Sequence, residues 1–177
     1  MREIDSAIDA EFIFELLNTP KFVRYIGNRG VRSVEQARDF IENRYRASYR
    51  EHGYGLYSVE TRFSQFEMLG TSEQKRRAVL TANKPIGICG FVRRDSLPGP
   101  DLGFAFLPEY ERKGYGFESA KAVLEYGRDH LAFTTVFAIT SQDNDVSGKL
   151  LEKLGFTLER IYTSPDGEDL KLFEKQL

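Results

Sequence analysis

Leu102-Gly103-Phe104-Ala105-Phe106-Leu107-Pro108-Glu109-Tyr110-Glu111-Arg112-Lys113-Gly114-Tyr115-Gly116-Phe117-Glu118-Ser119 (LGFAFLPEYERKGYGFES) is the stretch on which the reading of this chain turns. It opens as a short apolar strand and breaks at Pro108. It then crosses a loop holding Arg112, Lys113, Gly114 and Gly116 and enters a helix. The first N–H groups of a helix have no internal partners, so strand, loop and helix start together form a site for the phosphates of a ligand. Glycine belongs in such a loop because a residue without a Cβ lets backbone amides turn toward a bulky anion.

Before this stretch, Pro85–Arg93 (PIGICGFVR) reads as a strand whose two glycines imply a bulge or a close backbone approach. Leu97-Pro98-Gly99-Pro100 is a turn. After it, helical spacing runs from about Gly116 to Leu131, with Ala120, Val123, Leu124 and Gly127 on one face. Thr134–Thr140 (TTVFAIT) is a buried type of β run. Asp143 or Asn144 caps a helix through Leu154, and Gly155 stops it. Phe156–Tyr162 and Leu170–Phe173 are strands joined by the turn Ser164-Pro165-Asp166-Gly167.

The amino-terminal part is helical. Residues 7–18 place Ile8, Phe12, Ile13, Leu16 and Leu17 on one stripe, with Asp5 or Ser6 as cap. Thr19-Pro20 begins a second segment over Lys21–Ile26, and Gly27–Gly30 is a loop. Ser33 and Gln36 form a capping box for a helix that ends near Gly53. Gly55–Glu60 is a strand. Thr61–Ala82 is least legible: Ser72–Arg77 fits a helical turn or a loop, and Ala78–Thr81 fits helix or strand. Lys75-Arg76-Arg77 reads as a solvated face before it reads as a dock for an acidic partner. Helices, a strand meander, then alternating helices and strands predict a mixed α/β (α+β) fold with helices on both faces of one sheet.

A chain of 177 residues with 41% hydrophobic and 29% charged residues is expected to form one domain, 1–177, with a real core. The net charge of −2 gives no general attraction to nucleic acid or to an anionic membrane. No apolar run approaches the ~18 residues of a membrane span, and the first residues are not a signal peptide. The lone Cys89 excludes an internal disulfide, so a cytoplasmic location is expected.

Several chemistries fail on spacing. His52 and His130 stand apart from any cysteine, so no metal is expected. Asp143-Asn144-Asp145 opens like a calcium loop, but Leu154 occupies the place of its bidentate carboxylate. Gly148-Lys149 lacks the flanking residues of a P-loop, and no G-x-S-x-G elbow occurs. As a dinucleotide fingerprint, the Gly114–Gly116 loop fails at Ser119.

Pro85–Phe91, Leu102–Tyr110 and Lys113–Ala120 together resemble the core of a GNAT N-acetyltransferase. Asn144-Asp145-Val146-Ser147 followed by Leu151-Glu152-Lys153-Leu154-Gly155-Phe156 is similar to the N-x-x-S…LEKLGF segment of the RimJ/RimL-like branch. The resemblance implies a GNAT fold, in which the sheet splays between two parallel strands to admit the pantetheine arm of acetyl-CoA. It implies that the backbone of Phe104 and Phe106 pairs with that arm and that Asn144 holds it from the other side. Amides of Arg112, Lys113, Gly114, Tyr115, Gly116 and Phe117 would bind the pyrophosphate. It also implies Ser147 as the hydroxyl beside the leaving thiolate, where many relatives carry a tyrosine at the position of Leu151. Asp101 would receive the amine proton, directly or through water.

Three features depart from the family pattern: Glu111 at the head of the phosphate loop, a nearly absent opening strand, and the length of Thr61–Ala82. The expected activity is acetyl transfer to a primary amine, either a protein N-terminus or a small amine. An α-amine, with a pKa of ~7.7–8, needs far less help to lose its proton than a lysine at ~10.4. Glu111 and Leu151 keep a non-catalytic CoA-binding module as the alternative, and an NAD(P)-dependent oxidoreductase as a more distant one. A homodimer is left open.

Overall fold

A computed structural model describes residues 1–69 and 76–177. The chain opens with β1 (Arg2–Glu3), followed by α1 (Ala10–Leu17) and α2 (Pro20–Tyr25). A longer helix begins as α3 (Val34–Phe40), widens into a π-helical segment (Ile41–Arg46) and finishes as α4 (Ala47–His52). Next come β2 (Leu56–Leu69), β3 (Arg76–Val92), β4 (Asp101–Phe106) and α5 (Tyr115–His130). β5 (Thr135–Ser141), α6 (Asp145–Lys153), β6 (Thr157–Thr163) and β7 (Asp169–Gln176) complete the order.

The strands form one sheet in the order β1-β2-β3-β4-β5-β7-β6. Every neighbouring pair is antiparallel except β4 and β5, which are parallel and meet only at Asp101 and Phe137. Helices α1 to α4 cover one face through Ile13, Leu16, Phe22, Ala37 and Ile41, packed on Ile88 of β3. The other face takes Ala120, Val123 and Leu124 of α5 and Leu151 of α6 against Cys89, Phe91 and Leu102. The expected mixed sheet with helices on both faces is the fold observed, and its single break is the fork between β4 and β5.

Local chemistry explains most boundaries. Thr19 accepts from the Phe22 amide, and Pro20 sits in the first turn of α2, where its missing N–H costs nothing. Ser33 accepts from the Gln36 amide, but Gln36 Oε1 turns back to the amide of Arg32, so the capping box closes one residue early. Gly53, at φ +75°, ends α4. A bulge at Val59/Glu60 lets β3 carry one extra residue. A Cβ on Gly90 would lie 2.1 Å from the Gly55 carbonyl oxygen, the close approach that its glycine implied.

The opening strand is nearly absent, as expected: two residues, with Arg2 opposite Ser58 and Glu3 opposite Tyr57. Two expectations change. The first helix starts at Ala10, not residue 7, and Ile8 is exposed instead of joining the buried stripe. The Gly55–Glu60 strand runs on to Leu69, and Ala78–Thr81 is strand, so most of the illegible stretch forms two arms of one long hairpin. The remainder, including Lys75 of the basic run, lies outside the described residues, as do the side chains of Arg76 and Arg77.

The chain start is fixed by a buried carboxylate. Asp9, fully buried, accepts from Arg2 Nη1 at 2.6 Å, Arg2 Nη2 at 2.8 Å and the Asp5 amide at 2.8 Å. Arg2 also donates to Glu60 at 2.9 Å, which ties β1 and α1 to β2. Asp9→Asn keeps the shape but loses the charge and one of these bonds. It is expected to lower stability by about 1–2 kcal/mol, read as a shift in urea midpoint at unchanged slope.

Candidate active site

The site is built where the sheet comes apart. The Leu107 amide donates to Ile86 of β3, so by antiparallel alternation Gly103 and Ala105 also direct their backbone groups to β3. Leu102, Phe104 and Phe106 therefore turn their backbone groups toward β5. On the facing strand, the Phe137 amide donates to Pro100 at 2.9 Å. Ile139 and Ser141, two and four residues further along, face the same way, but β4 has already diverged. The fork is thus lined on both sides by backbone donors and acceptors without a ladder partner. Phe104, Phe106, Ile139 and Ser141 are half-buried, so these peptide groups are open to pairing with water or with a ligand. An extended polar chain such as pantetheine fits this arrangement as an added strand.

At the open end of β4, Pro108 starts a single 3₁₀ turn (Pro108–Tyr110), and the chain then curls into α5. Arg112 takes φ +58°, a left-handed conformation uncommon for a side-chain-bearing residue, and Gly114 takes φ +91°. Gly114 is the N-cap of the 16-residue α5 and offers no side-chain cap. The first ladder bond of the helix runs from Glu118 back to Gly114, which leaves the amides of Tyr115, Gly116 and Phe117 free. A Cβ on Gly114 would meet nothing within 4 Å, so the space beside this N-cap is open. Such a cradle suits a pyrophosphate.

The second side of the fork comes from α6. Asn144 caps it by accepting from the Ser147 amide at 3.2 Å through Oδ1, a bond that does not use its Nδ2. Ser147 sits in the first turn, half-buried. Leu151 is locked in the core and has no chemistry to offer.

Asp101 lies at the apex, on the last pair that β4 and β5 make. Its side chain is 3% exposed, and Arg94 donates to Oδ2 at 2.5 Å. Oδ1 has no hydrogen-bond partner among the described residues. Burial pushes the carboxyl up to about 6, opposed by the charge and hydrogen bond of Arg94 and, least, by the Ile139 amide, which faces the carboxylate without reaching hydrogen-bond geometry. A carboxylate with a free oxygen and a pKa one unit below neutrality is equipped to take a proton.

Glu111 turns neither toward the phosphate cradle nor into open solvent: it pairs with Lys21 of α2. Three residues on, Arg24 donates to Asp143 at 2.7 Å, and Ser141 Oγ donates to the Tyr25 carbonyl at 3.4 Å. Helix α2 therefore bridges the mouth of the fork, one hand on the β4 side and one on the β5 side. Sequence reasoning had no means of finding Lys21, Arg24 or Arg94, since none belongs to a motif and each partner lies on another element. No group of three metal-ligating side chains occurs among the described residues; His130 stacks on Tyr126, and His52 packs at a tilt against Tyr54.

A profile of the acetyltransferase (GNAT) domain matches residues 1–157, and the chain belongs to that family. The uncharacterized N-acetyltransferase YoaA of Bacillus subtilis is 28% identical over 153 residues, covering 86% of this chain and 76% of YoaA. Two solved structures share the fold. Spermidine N-acetyltransferase from Vibrio cholerae, in complex with CoA and spermine, aligns with a TM-score of 0.69 at 16% identity, over 99% of this chain and 93% of that one. RimL, a ribosomal L7/L12 α-N-protein acetyltransferase in complex with coenzyme A, gives 0.70 at 14% identity, over 99% and 92%. The protein is an acetyl-CoA-dependent acyltransferase of GNAT type. Among the described residues no helix is long and apolar enough to cross a membrane.

Proposed function

We propose that this enzyme transfers the acetyl group of acetyl-CoA to a primary amine, with Asp101 as general base and Ser147 beside the leaving sulfur. The observation that carries the reading is the buried Asp101 carboxylate, with Oδ1 unpartnered at the apex of the fork. Acetyl-CoA supplies a thioester carbonyl carbon open to attack. Asp101 is largely ionised at pH 7 and takes a proton from the amine as the new C–N bond forms. Ser147 donates a hydrogen bond to the sulfur as the C–S bond breaks, and the proton held by Asp101 passes on to the thiolate through solvent. The amides of Arg112 to Phe117 hold the pyrophosphate, the backbone of Phe104 and Phe106 pairs with the pantetheine amides, and Asn144 contacts the arm from α6. These roles extend over one domain, residues 1–177, of the RimJ/RimL-like branch, working in the cytoplasm.

The test is release of CoA thiol when acetyl-CoA meets a panel of amines. Tight CoA binding with no turnover on any amine would favour the non-catalytic module. Protection against thermal unfolding by NAD(P) but not CoA would favour an oxidoreductase. Ser147→Ala is expected to lower kcat about tenfold with little change in the Kd for CoA, since its backbone amide still serves Asn144. Unchanged kcat in stopped-flow single turnovers would remove Ser147 from the chemistry.

A further inference from the structure

Lys21 and Arg24 lie three residues apart on α2 and reach opposite walls of the fork. Lys21 pairs with Glu111, which stands one residue before the loop proposed to hold the pyrophosphate. Arg24 pairs with Asp143 at 2.7 Å, one residue before Asn144, the proposed contact to the pantetheine arm. A lone exposed ion pair contributes little. These two differ because the helix between them is held in place by other contacts. Phe22 is buried in the same apolar cluster as Ile13, Leu16 and Leu107. Thr19 caps the first turn, and the Tyr25 carbonyl accepts from Ser141 Oγ on the β5 wall. The Lys21 ammonium is therefore delivered to the β4 wall from a backbone anchored independently of the loop.

Glu111 is a residue that needs such a partner. Its backbone is extended, at φ −68° and ψ 156°, and its amide is tied to the Pro108 carbonyl at 3.3 Å. Its side chain is only 25% exposed, so water screens the carboxylate incompletely. The adjacent cations do not serve it. Lys113 sets its ammonium 5.5 Å from the centre of the Tyr110 ring. Among the described residues no ion pair joins Glu111 to Arg112, which turns away at φ +58°. A carboxylate beside an anionic pyrophosphate opposes binding unless a cation cancels it. We propose that Lys21 is a positioning residue for acetyl-CoA: it cancels the charge of Glu111 and holds that carboxylate off the phosphate loop. Arg24 and Asp143 fasten the other end of the helix, so the cation stays in place when the loop is empty. The inference rests on the acetyl-CoA reading above and adds to it a residue from outside the loop.

The experiment is calorimetric titration of the full chain with acetyl-CoA. Lys21→Met should raise Kd about 5- to 10-fold at ~0.01 M salt, where charges act over ~30 Å. At ~1 M salt, where they act over ~3 Å, the difference should shrink below about twofold. Lys21→Arg, which keeps the charge, should bind like wild type. Glu111→Gln should bind at least as tightly as wild type, and the double variant Lys21→Met/Glu111→Gln should return to within about twofold of it. That recovery separates a cancelled charge from a lysine that touches the phosphates itself or merely packs α2. In steady state the KM for acetyl-CoA should follow Kd while kcat holds. The unliganded variants should melt with the wild type, because so exposed a pair adds little to stability. An unchanged Kd in Lys21→Met at low salt, or a double variant no tighter than Lys21→Met, overturns the inference. Wild type that binds acetyl-CoA but acetylates no amine overturns the amine-acetylation reading and leaves these Kd comparisons to decide the role of Lys21. Wild type that binds no acetyl-CoA overturns both.

Discussion

Asp101→Asn should reduce kcat/KM by roughly 10²- to 10⁴-fold, the usual worth of a positioned general base. That corresponds to about 3–5 kcal/mol of barrier. The pH profile carries the sharper signature. With the native carboxyl at about 6, the wild-type rate should rise through that pH and again through the pKa of the acceptor amine. In Asp101→Asn the first limb should vanish and the second remain. Retention of the limb near pH 6 would assign it to another group and remove Asp101 from proton transfer.

Stability should move the other way. The ordinary carboxyl value is 3.8, and the folded value is higher, so the native state holds a proton between about pH 4 and 6 that the unfolded chain gives up. Stability is therefore lost as pH rises through that window, by about 3 kcal/mol in all, and the deficit persists above it. Asparagine never ionises and escapes this cost. Arg94, already part-exposed, can turn its charge to water. Thermal unfolding at pH 7.5 should show Asp101→Asn at least as stable as wild type, a combination of lost activity and kept stability that a merely structural aspartate would not give.

Gly114→Val should weaken acetyl-CoA binding about 100-fold, or roughly 2.7 kcal/mol. Two effects combine. Gly114 stands at φ +91°, where a β-branched residue is strained by about 1–2 kcal/mol, and relief of that strain would rotate the free amides out of line. The added side chain would also enter the open space beside the N-cap, where the pyrophosphate is proposed to lie. Calorimetric titration with CoA reads the loss directly, and Gly114→Ala should fall between. An unchanged Kd in Gly114→Val would mean the pyrophosphate lies elsewhere.

The loop proposed to hold the pyrophosphate was legible as a turn into a helix because everything that shapes it is local. Pro108 cannot continue a strand ladder, Gly114 accepts a left-handed conformation, and the apolar spacing after it has a helical period. The Asn144 cap and the Gly155 stop of α6 were legible for the same reason. The long hairpin was not. Its pairs, such as Thr61 with Lys84 and Leu69 with Arg76, are set by strand partnership, and its residues carry no clean alternation to announce it. Ile8 fitted the helical stripe on paper but is exposed, because the helix begins two residues after it.

The sequence by itself determined the order of elements, the glycine loop and the residues that resemble a GNAT core, all of which follow from neighbours a few positions apart. Only the tertiary structure decided what those residues experience. Lys21 reaches Glu111 across 90 residues and Arg24 reaches Asp143 across 119, so the bridge over the fork exists only once the sheet has formed. Asp101 reads as an ordinary turn acid until β3, β4 and β5 close around it. Burial then raises its pKa, Arg94 occupies one oxygen, and the divergence of β4 from β5 leaves the other without a partner. Solvation and charge proximity are properties of the fold, and no run of residues along the chain records them.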